Sequence, residues 1–244
     1  LLSCAASTQA FAQSENQSSD TTLDPTVVTA EGDKDRLINP QLSLGAKLPY
    51  SVFETPRAVE TVTREQFTIR GAQNLEDAAR YVAGVQSSYY GLDTRQDFVR
   101  IRGLNSLNYR DGLQHNFNFY NNAAQEAYAI EQIDFIKGPA SILFGRGTVG
   151  GTVNTTSKIA GPDAKNEIMT SYGTDDRFQL GVDYNTALNK EETLFFRMVG
   201  YYRNAGTYVD HVMDDSRFLM PSLTWKPNDQ TSLSLLLNFQ ETHS

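Results

Sequence analysis

Cysteine is nearly missing from this sequence of 244 residues: its single copy is Cys4, so no disulfide can form within the chain. Histidine occurs three times and no Cys/His cluster exists, so no protein-ligated metal centre is expected. Positive charge is also short. Lysine and arginine number 21 against 29 aspartates and glutamates, and the net charge of −8 argues against nucleic acid as a partner. No apolar run reaches the roughly 18 residues of a membrane helix. That excludes a helical membrane protein but leaves a membrane β-barrel open, because barrel strands alternate and never give a long apolar run. There is no Ser/His/Asp arrangement and no phosphate loop, and the paired acids Asp175-Asp176 and Asp214-Asp215 read as exposed loop residues that water is expected to solvate. No catalytic residue and no cofactor are expected, and an enzyme is disfavoured.

The most informative stretch that is present runs from Glu131 to Lys158. Ile133 to Lys137 is a short β-type run closed by Gly138. Pro139 suits a first helical position, and Ala140 to Phe144 makes about one and a half turns before Gly145. Gly147, Gly150 and Gly151 then open a tight bend, and Thr152 to Ser157 is extended. Thr, Asn, Thr, Thr and Ser outnumber the one Val of that strand, so it suits a polar wall better than an apolar core. Gly145 to Gly150 also matches G-x-G-x-x-G, but the dinucleotide fingerprint needs a strand before it and a helix after it. Here the order is reversed, and Gly138, Gly145, Gly150 and Gly151 read as structural glycines.

The string Ile-Glu-Gln-Ile-Asp-Phe-Ile-Lys-Gly-Pro-Ala-Ser-Ile-Leu-Phe-Gly from Ile130, then Gly-Gly-Thr-Val-Asn from Gly150 and Ser157-Lys158, resembles the plug-domain signature of TonB-dependent outer-membrane receptors. It is most similar to their siderophore-receptor branch, and the resemblance extends more loosely over residues 24–244. It implies an α+β plug domain, a mixed sheet with short helices, followed by the first strands of a transmembrane antiparallel β-barrel. It also implies a transporter of the bacterial outer membrane that binds a ferric siderophore outside and imports it with energy transmitted by the TonB protein. Such a receptor contacts outer-membrane lipid and is a monomer when full length. Its cargo would be an iron(III)-siderophore chelate. Cobalamin, haem or a carbohydrate stay open as cargo, as does a surface receptor that binds without transporting.

Residues 1–12 end in Ala10-Phe11-Ala12, the small-x-small pattern of a secretory cleavage site, without a charged n-region. They read as the remnant of a signal peptide, with a lipoprotein box around Cys4 as the alternative. Residues 13–49 read as a disordered polar tail. Within it Asp24, Pro25, Thr26, Val27, Val28, Thr29 and Ala30 form a β-prone island, similar in position to the family's TonB box. An extended peptide there can add a strand to a partner's sheet edge. No further domain separates cleavage site and box, so a signal-transducing role is disfavoured.

The plug is expected over residues 50–158. Pro56 to Val62 reads as a strand, and Thr63 with Gln66 as the capping box of a short helix stopped by Gly71. Asn74 to Gly84 is the best helix in the chain: Asn74 caps it, Glu76 and Asp77 suit its first turn, and Leu75, Ala78, Ala79 and Val82 share one apolar face. Phe98 to Arg102 alternates as a strand, and Asp111-Gly112 signals a turn. The loops at 89–95, 105–108 and 114–125 are rich in rings and amides. The resemblance implies that they form the plug apex, with Tyr89, Tyr90, Arg95, Asn105 and Tyr120 binding the ligand. It also implies that Arg100 and Arg102 make polar contacts with the barrel; the alternative is a solvated sheet face.

From 166 to 244 the chain reads as the start of a barrel. About five segments of about 8 to 12 residues alternate with period two, apolar outward and polar inward. Phe178, Leu180, Val182 and Tyr184 share one face, and Arg177, Gln179, Gly181 and Asp183 the other. Segments at 189–192 and 227–230 read as short periplasmic turns, and 204–216 as an outside loop. About 22 strands enclose a plugged lumen in such transporters, so this barrel is expected to be incomplete.

Overall fold

In a computed structural model of the chain the described residues are 58–115, 123–139, 145, 148–228 and 230–244. The island at 24–30, Tyr120 and the helical turn expected at 140–144 lie outside them.

The first half is a mixed sheet with two short helices. Strand β1 (Ala58–Thr63) runs into helix α1 (Arg64–Arg70). Thr63 caps α1 by accepting from the Gln66 amide at 3.4 Å, and Gly71 ends it in the left-handed region. Helix α2 covers only Leu75–Ala79, shorter than the sequence suggests. Asn74 caps it as expected, accepting from the Asp77 amide at 2.8 Å. Beyond Ala79 the bonds shorten to i→i+3, from Arg80 to Asp77, Val82 to Ala79 and Val85 to Val82, so the α ladder tightens into turns before Gly84. The apolar face is nonetheless correct, since Leu75, Ala78, Ala79 and Val82 are all buried.

Strands β2 (Val85–Ser87), β3 (Val99–Ile101) and β4 (Leu104–Asn105) form one small antiparallel sheet. The main sheet adds β5 (Leu107–Arg110), β6 (Leu113–Gln114), β7 (Ile130–Lys137) and β8 (Gly151–Ser157) in the order β1-β7-β8-β5-β6. Only the β5–β8 pairing is parallel. Phe67, Leu75, Ile101, Ile133, Phe135 and Val153 form its apolar core with the two helices.

Two glycines permit the bend into β8. A Cβ on Gly151 (φ +141°) would collide with the Ile136 carbonyl oxygen, and one on Gly150 would lie 2.8 Å from Leu104 Cβ. Gly138 and Gly145 also have positive φ. Strand β8 itself finds a different environment from the polar barrel wall expected. Its side chains are buried mostly against the mixed sheet's own turn. Asn154 Oδ1 accepts from the Gly112 amide at 3.0 Å, Thr155 donates to the Tyr109 carbonyl at 3.1 Å, and the Ser157 hydroxyl donates to Asp111 at 2.7 Å.

The second half is one antiparallel sheet: β9 (Glu167–Tyr172), β10 (Phe178–Ala187), β11 (Leu194–Asn204), β12 (Asp215–Asn228), β13 (Thr231–Leu236) and β14 (Phe239–His243). Strands β13 and β14 both pair with β12, so six segments occupy five strand positions. The sheet is open, with β9 at one edge and β13 and β14 at the other. Leu180, Tyr184, Met198, Tyr202, Leu219 and Trp225 are exposed on one face, while Gln179, Asp183, Arg197 and Ser222 are buried on the other. That buried face is not purely polar: Val199, Tyr201, Phe218 and Met220 lie on it and pack on Tyr128 and Ala129 of the first half.

Candidate functional site: plug apex and wall

Two groups of side chains carry the site. One seats the mixed sheet on the strand wall. Lys158, one residue beyond β8, donates from Nζ to Asp183 Oδ2 on β10 at 2.8 Å. Arg197 on β11 grips the same carboxylate through Nε at 2.7 Å and Nη2 at 2.8 Å, and its Nη1 donates to the Ile159 carbonyl at 2.9 Å. The Lys158, Asp183 and Arg197 side chains are 3%, 2% and 7% exposed, so this is a dry ion triad. Burial pushes the Lys158 ammonium below its usual range. Beside it the Tyr128 ring stacks on Tyr201 with centroids 5.4 Å apart, and Lys158 Nζ sits 4.2 Å from the Tyr128 centroid. The wall makes room for that ring at Gly181, where a Cβ would stand 2.6 Å from Tyr128 Cζ.

Higher on the same face, Glu126 accepts from Arg203 at 3.2 Å and from the Ser216 hydroxyl at 3.0 Å. Burial raises its carboxyl above the usual range. Arg203 also binds Asp214 at 2.8 Å, and Gln240 on β14 donates to the Ala124 carbonyl at 2.7 Å.

The second group is the apex. Glu76 reaches out of the first turn of α2 to accept from the Phe98 amide at 2.7 Å and from the Ser88 hydroxyl, so it ties both ends of the 88–98 loop to the helix. Buried Asp97 accepts from the Gln125 amide at 2.9 Å, and the Arg95 carbonyl accepts from the Ala124 amide at 2.9 Å. These two bonds join the 89–97 loop to residues 123–126. Burial pushes the Asp97 carboxyl from 3.8 to about 7, and nearby Glu76 and Glu126 add to the rise.

Tyr89 and Tyr90 lie 4.4 Å apart with Phe98 against both. The Arg100 guanidinium covers Tyr89 at 3.8 Å and donates to Asn105 Oδ1 at 3.2 Å. Three of the ligand candidates read from the sequence, Tyr89, Tyr90 and Asn105, are thus brought together through Arg100. Arg95 stands apart from them, bound to Asp93 by two bonds at 3.0 and 2.7 Å that hold that carboxyl below its usual range.

For Arg100 and Arg102 the structure gives the surroundings within the plug. Arg100 serves the aromatic cluster, and Arg102 is exposed in the left-handed region after β3. Among the described residues the wall is met by Lys158, Glu126, Ala124 and Tyr128, by Gln73, whose Oε1 accepts from Arg177 Nη2 at 3.4 Å, and by Arg110, whose Nη2 lies 3.3 Å from Met220 Sδ. Sequence reasoning missed Glu76, Asp97 and Glu126. Glu76 looks like a helix-dipole acid, and Asp97 and Glu126 sit in loop sequence with nothing to signal burial.

Residues 51–152 match the family described as TonB-dependent Receptor Plug Domain. The chain is similar to the ferrichrome outer membrane transporter/phage receptor of Escherichia coli, 29% identical over 82% of this chain and 27% of that protein. It is similar as well to the ferrioxamine B receptor of Salmonella typhimurium, 32% identical over 85% of this chain and 30% of that protein. Among solved structures, the pyoverdine outer membrane receptor of Pseudomonas aeruginosa bound to pyoverdine superposes with a TM-score of 0.77 at 21% identity, over 86% of this chain and 31% of that one. The chain belongs to the TonB-dependent receptors of the bacterial outer membrane. Its mixed sheet is a plug, and its antiparallel strands are part of a transmembrane barrel that this chain does not close. It spans under a third of the length of these relatives, which are receptors and transporters.

Proposed function

We propose that the chain is part of a receptor that binds a ferric siderophore outside the cell and imports it with energy transmitted by the TonB protein. The observation that carries this reading is how the plug is seated. Its hold on the wall combines ion pairs and hydrogen bonds at Lys158, Asp183, Glu126 and Arg203 with one small apolar contact, Tyr128 and Ala129 on Val199, Tyr201, Phe218 and Met220, so little apolar surface is exposed when the two part. The work is binding and gated passage. No covalent bond is made, no cofactor takes part, and the iron keeps its chelate ligands. Tyr89, Tyr90, Asn105, Tyr120 and Arg95 meet the chelate at the apex. Residues Asp24 to Ala30 add as a strand to the sheet of TonB, with Pro25 limiting the pairing to the residues after it.

The test is growth of a deletion strain, complemented with the full-length receptor, on a panel of iron chelates, with and without the proton gradient that energises TonB. Energy-dependent growth on at least one ferric siderophore is expected. Binding without energy-dependent uptake would leave a surface receptor that moves nothing, and uptake of cobalamin, haem or a carbohydrate alone would replace the cargo.

A further inference from the structure

Strands β2 and β3 are antiparallel neighbours whose last pair is Ser87 with Val99, and the 88–98 loop joins them. Both rings of the apex pair sit in one tight turn at the start of that loop. The Gly91 amide donates to the Ser88 carbonyl at 3.0 Å, which places Tyr89 and Tyr90 at the two central positions. Ser88 opens the turn with φ +51°, in the left-handed region that a serine adopts only where its surroundings hold it. Phe98 closes the loop, and its ring meets Tyr89 and Tyr90 edge-on at 5.8 and 5.1 Å.

One side chain spans the neck of this loop, and it comes from another element. Glu76 Oε2 accepts from the Ser88 hydroxyl, and its Oε1 accepts from the Phe98 amide at 2.7 Å. Ser88 and Phe98 are the residues next beyond the Ser87–Val99 pair, so the carboxylate adds a rung where the two strands part. Its helix is a firm base: Asn74 caps α2, and Leu75, Ala78 and Ala79 are buried in the plug core. Glu76 is 6% exposed and Tyr90 58%, so the ring is open to a chelate and the carboxylate is nearly closed to one. Burying a carboxylate is costly unless donors meet it, and both donors here come from this one loop. Loop and carboxylate therefore hold each other in place.

We infer that Glu76 is the positioning residue of the apex: it sets where Tyr89 and Tyr90 stand toward the chelate without touching the chelate itself. The inference rests on the receptor reading above and adds to it how the binding rings are held. In Glu76→Gln both ties can persist, since the amide oxygen accepts from the Phe98 N–H and the amide N–H donates to the Ser88 oxygen. In Glu76→Ala neither does.

The test uses the full-length receptor in detergent, and one arm needs no ligand. Tetranitromethane nitrates accessible tyrosines, and peptide mass spectrometry reads the rate at each. Half-buried Tyr89, covered by Arg100, should react severalfold faster in Glu76→Ala and at the wild-type rate in Glu76→Gln. The other arm titrates ferrichrome and ferrioxamine B. Glu76→Ala should weaken the chelate that the wild type binds by about tenfold or more, the scale of a lost aromatic anchor, and Glu76→Gln by less than about twofold. In a Tyr89→Ala/Tyr90→Ala background Glu76→Ala should cost less than about twofold further, because Glu76 acts through the rings; a role in plug stability alone would cost the same in both backgrounds. Ser88→Ala cuts one tie and spares the helix. It should fall between the two Glu76 variants, and it carries the test where the Glu76→Ala protein does not fold. Nitration or affinity unmoved in Glu76→Ala, a Glu76→Gln protein as weak as Glu76→Ala, or a loss that persists without the rings would overturn the inference and leave the receptor reading standing. Binding of neither chelate by folded wild type would count against the receptor reading alone, and nitration would still decide whether Glu76 holds the ring pair.

Discussion

Asp183→Asn is the substitution that most directly tests how the plug is held. In the wild type one carboxylate, 2% exposed, neutralises two buried cations. Lys158 Nζ and Arg197 Nη2 both lie 2.8 Å from its Oδ2, and Arg197 Nε lies 2.7 Å from Oδ1. The amide keeps the shape and one acceptor oxygen but leaves Lys158 and Arg197 facing each other, with only the half-exposed Glu131, 4.0 Å from Arg197 Nη2, as counter-charge. Breaking a buried pair from one side costs about 3–5 kcal/mol, because an uncompensated charge stays behind. Lys158→Met is the informative partner. It removes one charge-assisted bond and the contact with the Tyr128 ring, and it leaves Asp183 fully paired with Arg197. The cost should be about 1.5–3 kcal/mol, the scale of a hydrogen bond to a charged group. The double variant should cost less than the sum of the two: with Lys158 replaced, the Asp183→Asn change strands one cation instead of two. The assay is pulse proteolysis of the full-length receptor in detergent across a urea series, with cleavage within the plug as the readout. A Lys158→Met plug that is as unstable as the Asp183→Asn plug would refute the reasoning. The triad would then act through packing rather than through charge balance.

Three further outcomes are expected. Gly181→Ala should destabilise plug seating by about 1–3 kcal/mol, the cost of overpacking, because the new Cβ meets the Tyr128 ring at 2.6 Å; the added variant Tyr128→Leu should recover part of that loss in the same proteolysis assay. Asp97 is an acid raised from 3.8 to about 7, so its contribution to loop closure is complete below pH 3.8 and is lost as pH rises through about 7; Asp97→Asn should flatten the dependence of plug protection on pH across that window, and an unchanged slope would assign it to Glu76 or Glu126. Val27→Pro in the full-length receptor should stop uptake and leave chelate affinity nearly unchanged, because on the function proposed above proline removes a ladder donor from the segment that adds to TonB; uptake at the wild-type rate would show that coupling runs through another segment.

The wall is the more legible half of the fold, for a physical reason. A strand with one face on lipid must alternate with period two, so β10 and β11 can be read residue by residue, down to Asp183 and Arg197 pointing the same way. The plug obeys no such single rule. Its helix caps at Thr63 and Asn74 are readable because capping is a local bond. The true length of α2 is not, because Arg80 to Gly84 has helical composition and turns only through i→i+3 bonding.

The candidate site divides along the same line. Tyr89, Tyr90 and Asn105 stand out as rings and an amide in loop sequence, and they do assemble. Glu76, Asp97 and Glu126 look like any solvated acids until tertiary structure surrounds them, and burial of each is visible only in what it binds: Phe98, Gln125 and Arg203. Alternation states which face of a strand turns inward but not what covers that face. Hence the inner wall, read as polar, carries Val199, Tyr201, Phe218 and Met220 where the plug presses on it. The same principle explains Lys158. One residue past a strand of hydroxyls and amides it reads as a solvated lysine, yet it is a buried ionic hold of the plug on the barrel, because its partners come from β10 and β11, 25 and more residues away.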